Sequence, residues 1–115
     1  MSNASTEKQM LQARKRTLET IKKKIKKNLD NSKKFSKKIT ECNRKINSLT
    51  KQQEKAPTEA KAKAIHGKIY MATGSLHSAE RMYNASLKHI EYWKNEYYKV
   101  QNMPINQQYH FQSWF

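Results

Sequence analysis

Lysine and arginine are the residues here whose type and spacing could do chemistry. Arg16, Lys23, Lys37, Arg44 and Lys51 recur every seven or fourteen positions, with Asp30 as the one acidic exception in the series. Lys26, Lys27, Lys33 and Lys34 flank them. A seven-residue repeat returns to the same side of a helix, so these cations form a ridge roughly 50 Å long at 1.5 Å per residue. Ammonium groups in such a row attract phosphates, anionic lipid heads or carboxylates. Lysine outnumbers arginine along the ridge. It is a hydrated point charge suited to phosphate contact, whereas base reading favours arginine forks, Asn or Gln.

The charge is concentrated. The chain carries 24 basic and 9 acidic residues, a net +15. Residues 1–55 hold 17 basic and 5 acidic residues, a net +12, and residues 56–115 hold 7 and 4, a net +3. A ridge with no interleaved aromatic residue lacks the stacking platform of a single-strand binder. Structured RNA or duplex DNA suits it better, bound through the backbone with little sequence preference. A ribonucleoprotein offers the same phosphates. The alternative is an adaptor, inhibitor or scaffold that binds an acidic protein surface without nucleic acid.

Other reactive groups do not assemble into a site. His66, His77, His89 and His110 lack the i, i+4 pairing and the Cys or carboxylate company of a metal centre. The lone Cys42 falls on an apolar stripe, where a packed thiol is expected rather than a nucleophile. Gly67 and Gly74 stand singly inside a helical pattern and make no phosphate loop. Glu19, Asp30, Glu41 and Glu54 are spread among lysines at wide spacing and form no acid–base pair. The expectation is a non-enzymatic protein with no cofactor, no metal and no small-molecule substrate.

The elements that position the ridge follow from the apolar pattern. Leu18, Ile21, Ile25, Asn28, Ser32, Phe35, Ile39, Cys42, Ile46 and Leu49 are spaced by three and four, the seam of a coiled coil. Leu11 reads as its backward continuation, with Arg14 as a polar interruption. Ala62, Ile65, Ile69, Ala72, Leu76, Ala79, Tyr83, Ser86, Ile90, Trp93, Tyr97 and Val100 repeat the rhythm. Between the two seams, Pro57 stops one helix and Thr58 caps the next. A loop this short makes the helices antiparallel neighbours. The expected fold is all-α: a long antiparallel two-helix hairpin, a coiled coil, with an aromatic C-terminal tail. Its parts are a frayed N-terminus over 1–6, a hairpin over 7–102 (helix 1 about 7–54, turn 55–58, helix 2 about 59–102) and a docking tail over 103–115. The polar steps Asn28, Ser32 and Ser86 are expected to select register.

Two surfaces remain for protein contact. Along the back of helix 2, Ala60, Ala64, Gly67, Met71, Gly74, Ser78 and Ala85, nearly all small, make a stripe interrupted by Arg81, continued by Tyr92 and flanked by Tyr70 and Tyr98. Each exposed helical glycine costs about 1 kcal/mol against alanine, so close approach of another backbone is expected there, from a second copy or another protein. The tail is free of Lys, Arg, Asp and Glu and contains Tyr109, Phe111, Trp114 and Phe115. Disordered tails are poor in aromatics, so this one is expected to dock, either back onto Trp93, Tyr97 and Leu18 or into a partner. No run of apolar residues is long enough to span a membrane. No signal peptide is visible, so an intracellular protein, cytoplasmic or nucleoid-associated, is expected.

Overall fold

A computed structural model describes residues 3–111, with side chains from Thr6 onward. It contains two helices, α1 (Asn3–Glu54) and α2 (Glu59–Gln101), paired as an antiparallel hairpin. α1 runs for 52 residues without Gly or Pro. It begins at Asn3, ahead of the start expected near Glu7. Nothing in residues 3–6 breaks a helix, and extending one is far easier than nucleating it. Threonines are tolerated inside the helices because their hydroxyls return to the carbonyl four residues back. Thr50 Oγ1 donates to Ile46 O at 2.8 Å and Thr73 Oγ1 to Ile69 O at 2.8 Å.

The break is built as the residue types require. Lys55 N–H donates to Gln52 O and Ala56 N–H to Gln53 O, both at 3.2 Å, which tightens the last turn of α1 ahead of Pro57. Thr58 Oγ1 accepts from the Lys61 N–H at 3.2 Å, an N-cap bond to the third helical residue. Glu59 then lies in the first turn of α2, where the helix dipole favours an acid.

Every seam position named above is buried or half-buried, on both helices. Leu11 is not part of it: its side chain is 53 % exposed. The seam runs back from Leu18 through the half-buried Arg14 and Met10 instead. Arg14 is accommodated because its guanidinium donates to the Met103 carbonyl.

The hairpin divides into two compact units. One comprises residues 3–30 with 86–111, the other Asn31–Ala85. The core of the first is Ile21 and Trp93, both at 0 % exposure, and Val100, with Leu18, Ile25, Tyr92, Tyr97 and Tyr109 packed against it. Within it, Asn28 Nδ2 donates to Lys24 O at 2.8 Å, and Ser86 is buried. α2 ends at Gln101. A Met103 N–H bond to Val100 O and a Gln107 N–H bond to Pro104 O then turn the chain back.

The tail therefore docks on its own unit, as far as Phe111. Tyr109 and Phe111 meet edge-on at 4.9 Å, and Phe111 lies 6.0 Å from Trp93. Tyr109 donates its hydroxyl to Glu96 Oε1 at 2.9 Å. The second unit has a leaner core of Leu49, Ala72 and Ala79, with Ser32 also buried. Phe35, Ile39, Cys42, Ile46, Ile65, Ile69, Leu76 and Tyr83 are half-buried beside them. Near the turn, Gln53 Nε2 donates to Ala62 O at 3.3 Å.

Candidate nucleic-acid interface

The basic residues stand where helical periodicity puts them. In the first unit Arg16, Lys23, Lys26 and Lys27 are exposed; in the second, Lys33, Lys34, Lys37, Arg44 and Lys51 are exposed. All nine belong to the single helix α1. Pairing with α2 leaves all nine exposed, although Lys34 turns its Nζ to within 5.9 Å of the ring centre of the seam residue Phe35.

Two other lysines, outside that set, have intramolecular work. Lys24 is half-buried, with its Nζ 5.1 Å from the Trp93 ring centre and 6.0 Å from that of Phe111. An ammonium near two aromatic rings gains cation–π attraction and ties α1 to α2 and the tail. Lys22 places its Nζ 5.8 Å from the Tyr97 ring centre.

Lys22 also opens onto a feature that spacing along one helix does not reveal. Lys22 and Ile25 of α1, with Lys94, Tyr97 and Tyr98 of α2, line a groove of about 310 Å³. Tyr97 and Tyr98 stand edge-to-face, 6.2 Å apart at 86°. Tyr97 is half-buried, whereas Tyr98 is 62 % exposed. The sequence carried one trace of this arrangement: Lys94 and Tyr98 are four apart on α2 and so share a face.

Glu96 organises the tail. Its Oε1 accepts from Tyr109 and, at 3.4 Å, from Tyr92. Burial, first, and then the Glu96 hydrogen bond and charge raise the Tyr109 phenol well above its ordinary range. Burial and the same carboxylate raise Tyr92. Both phenols stay protonated near neutrality and act as hydrogen-bond donors.

The surfaces expected to meet other proteins are distributed differently. Ala60, Ala64, Gly67, Met71, Gly74 and Ser78 are exposed, and Tyr70 and Met71 are 77 % and 73 % exposed. Among the described residues, a Cβ added at Gly67 or Gly74 would meet nothing within 4 Å beyond the helix's own neighbouring backbone. Ala85 and Tyr92 leave the stripe: both are half-buried, and Tyr92 stands edge-on to Trp93 at 5.0 Å. Tyr109 and Phe111 pack on their own unit, with Phe111 still 42 % exposed, and Trp114 and Phe115 lie outside the described residues. Cys42 is half-buried in a shallow groove with Lys38, Glu41, Lys45, Ala72 and Ser75, a lining that holds no histidine.

Fold and surface together define a basic antiparallel helical hairpin with a folded-back aromatic tail. Comparison with family models, with curated proteins and with solved structures gives no match to this chain. Among the described residues, no helix is long and apolar enough to cross a membrane.

Proposed function

We propose that this chain is a non-enzymatic nucleic-acid-binding hairpin. Its α1 cations contact the phosphates of RNA, DNA or a ribonucleoprotein, and the exposed back of α2 is left for a protein partner or a second copy. The observation that carries the reading is the exposure of all nine named cations on one helix, Arg16 to Lys51, while the apolar seam positions are buried or half-buried. A helix so charged repels itself, and a polyanion relieves that repulsion while releasing its own counterions. The predominance of lysine fits contact with the phosphate backbone at low sequence preference.

Binding of the purified protein to RNA and to duplex DNA across a salt series tests this. Tight binding at low salt that falls steeply with salt is expected. Replacing Lys23, Lys26, Lys27, Lys33 and Lys34 together with Gln should leave helicity intact. It should flatten the slope of log K against log salt by about 3 to 5, since each phosphate contact contributes about 0.7 to 0.9. Absence of binding even at low salt refutes the reading and leaves these lysines to match an acidic protein surface.

A further inference from the structure

From the groove between Lys22 and Tyr98 we infer a site for one unpaired nucleotide, its base stacked on the Tyr98 ring and its phosphate held by Lys22 and Lys94. The inference rests on the nucleic-acid reading above and adds to it the kind of nucleic acid: one with a nucleotide out of its helix. Four observations meet in one place. The groove, about 310 Å³, is lined by two lysines, Lys22 from α1 and Lys94 from α2. It has a tyrosine ring that is 62 % exposed, unlike its half-buried neighbour Tyr97. Tyr97 supports that ring edge-on at 86° and has Lys22 near its own face at 5.8 Å, so it is engaged inside the protein. Finally, the exposed Lys26 follows Lys22 by one turn of α1, and Lys23 adjoins it in sequence, so the groove borders the phosphate-binding residues.

An exposed ring that shares a groove with two lysines suits a nucleotide better than an isolated anion or an apolar ligand. The base has a π face to stack, and its phosphate carries the opposite charge to the lysines. A base inside a duplex keeps both faces covered by its neighbours, so only an unpaired one can reach the ring. Base–aromatic stacking is tolerant of sequence, which keeps the site compatible with phosphate-led binding. Sequence spacing alone predicted a ridge without a stacking surface; pairing of α1 with α2 supplies one at a single point.

The test compares a blunt RNA duplex with the same duplex carrying a short single-stranded extension. A third arm has abasic residues in that extension, and DNA versions run alongside. The full chain should bind the extended duplex about five- to a hundredfold more tightly than the blunt one, the range of one stacked base. The abasic extension should lose most of that gain. Tyr98→Ala should abolish the gain and leave blunt-duplex affinity unchanged, while Tyr98→Phe should keep it. Lys94→Gln should reduce it. Because Tyr98 is largely exposed, these variants are expected to keep the wild-type circular dichroism spectrum. Equal affinity of the wild type for blunt and extended duplexes overturns the site while leaving the phosphate reading standing. A gain that survives Tyr98→Ala also overturns it. Failure of every nucleic acid to bind at low salt overturns both.

Discussion

Where residues 3–30 pack with 86–111, Trp93 and Ile21 are sealed from water; where 31–54 pack with 59–85, no large side chain is. The seam spacing is the same in both regions, so spacing is not the cause. Two helices side by side enclose a line of contact, and each side chain on that line stays open at its flanks. In the region 31–85 the buried positions are mainly small, Ala72 and Ala79, with the larger Ile39, Ile46 and Phe35 only half-covered. In the other region the returning tail supplies a further wall, with Tyr109 against the core and Phe111 beside Trp93. A third layer converts a seam into a core, which is what burying an indole requires.

The largest expected effect tests that contrast. Trp93→Ala should lower unfolding stability by about 3 to 5 kcal/mol, the cost of emptying a fully enclosed aromatic site. Leu49→Ala, at the edge of the leaner seam, should fall near the lower end of the leucine range, about 2 kcal/mol. Urea denaturation followed by circular dichroism measures both. Equal losses break the comparison.

A smaller effect isolates the tail. Tyr109→Phe removes the donor to Glu96 and should cost about 1 kcal/mol, a typical value for one hydrogen bond that is not fully buried. Its pH dependence sharpens the point. Burial and Glu96 raise the Tyr109 phenol above its ordinary value of 10.0, so from about pH 10 upward the unfolded chain loses this proton before the folded one does. The stabilisation is complete below that pH and declines as pH rises through the raised range. The difference between wild type and Tyr109→Phe in thermal melts should therefore narrow above about pH 10. A constant difference across that range would mean that neither burial nor Glu96 holds the Tyr109 phenol in its protonated form.

The smallest effect belongs to the region 31–85. With nothing within 4 Å of either position, Gly67→Ala and Gly74→Ala should each stabilise by up to about 1 kcal/mol through helix propensity alone. Solution mass measured on the same variants adds the complementary reading. A gain in stability at constant mass leaves the stripe as bare helix surface. A loss of stability with a fall in mass would show that a second copy packs on these glycines.

Much of the fold was legible because it is local. The three-and-four spacing from Leu18 to Leu49 and from Ala62 to Val100 named the residues that became buried. Pro57 and Thr58 marked a break that needs no distant partner. Leu11 misled because apolar character was followed where geometry was required. The seam passes through Arg14, which loses little there because the Met103 carbonyl accepts its guanidinium. Tyr92 misled in the same way: its position on the helix pointed to the stripe, while Trp93 and Glu96 draw it into the tail cluster. Of the proposed interface, the exposed cations were readable from their repeat. The Lys22–Tyr98 groove was not, since its two sides lie on different helices far apart in sequence.

The sequence by itself determined two helices, their seams, the turn between them and a strongly positive α1, because each is a property of periodicity, breakers and charge within a short stretch. Only the tertiary structure decided that the tail covers Trp93, that Lys24 lies against aromatic rings while Lys26 is exposed, and that Tyr98 comes to stand beside Lys22. These depend on which surfaces meet when distant segments pack. Burial and ring contact are properties of that meeting, and no spacing along one segment contains them.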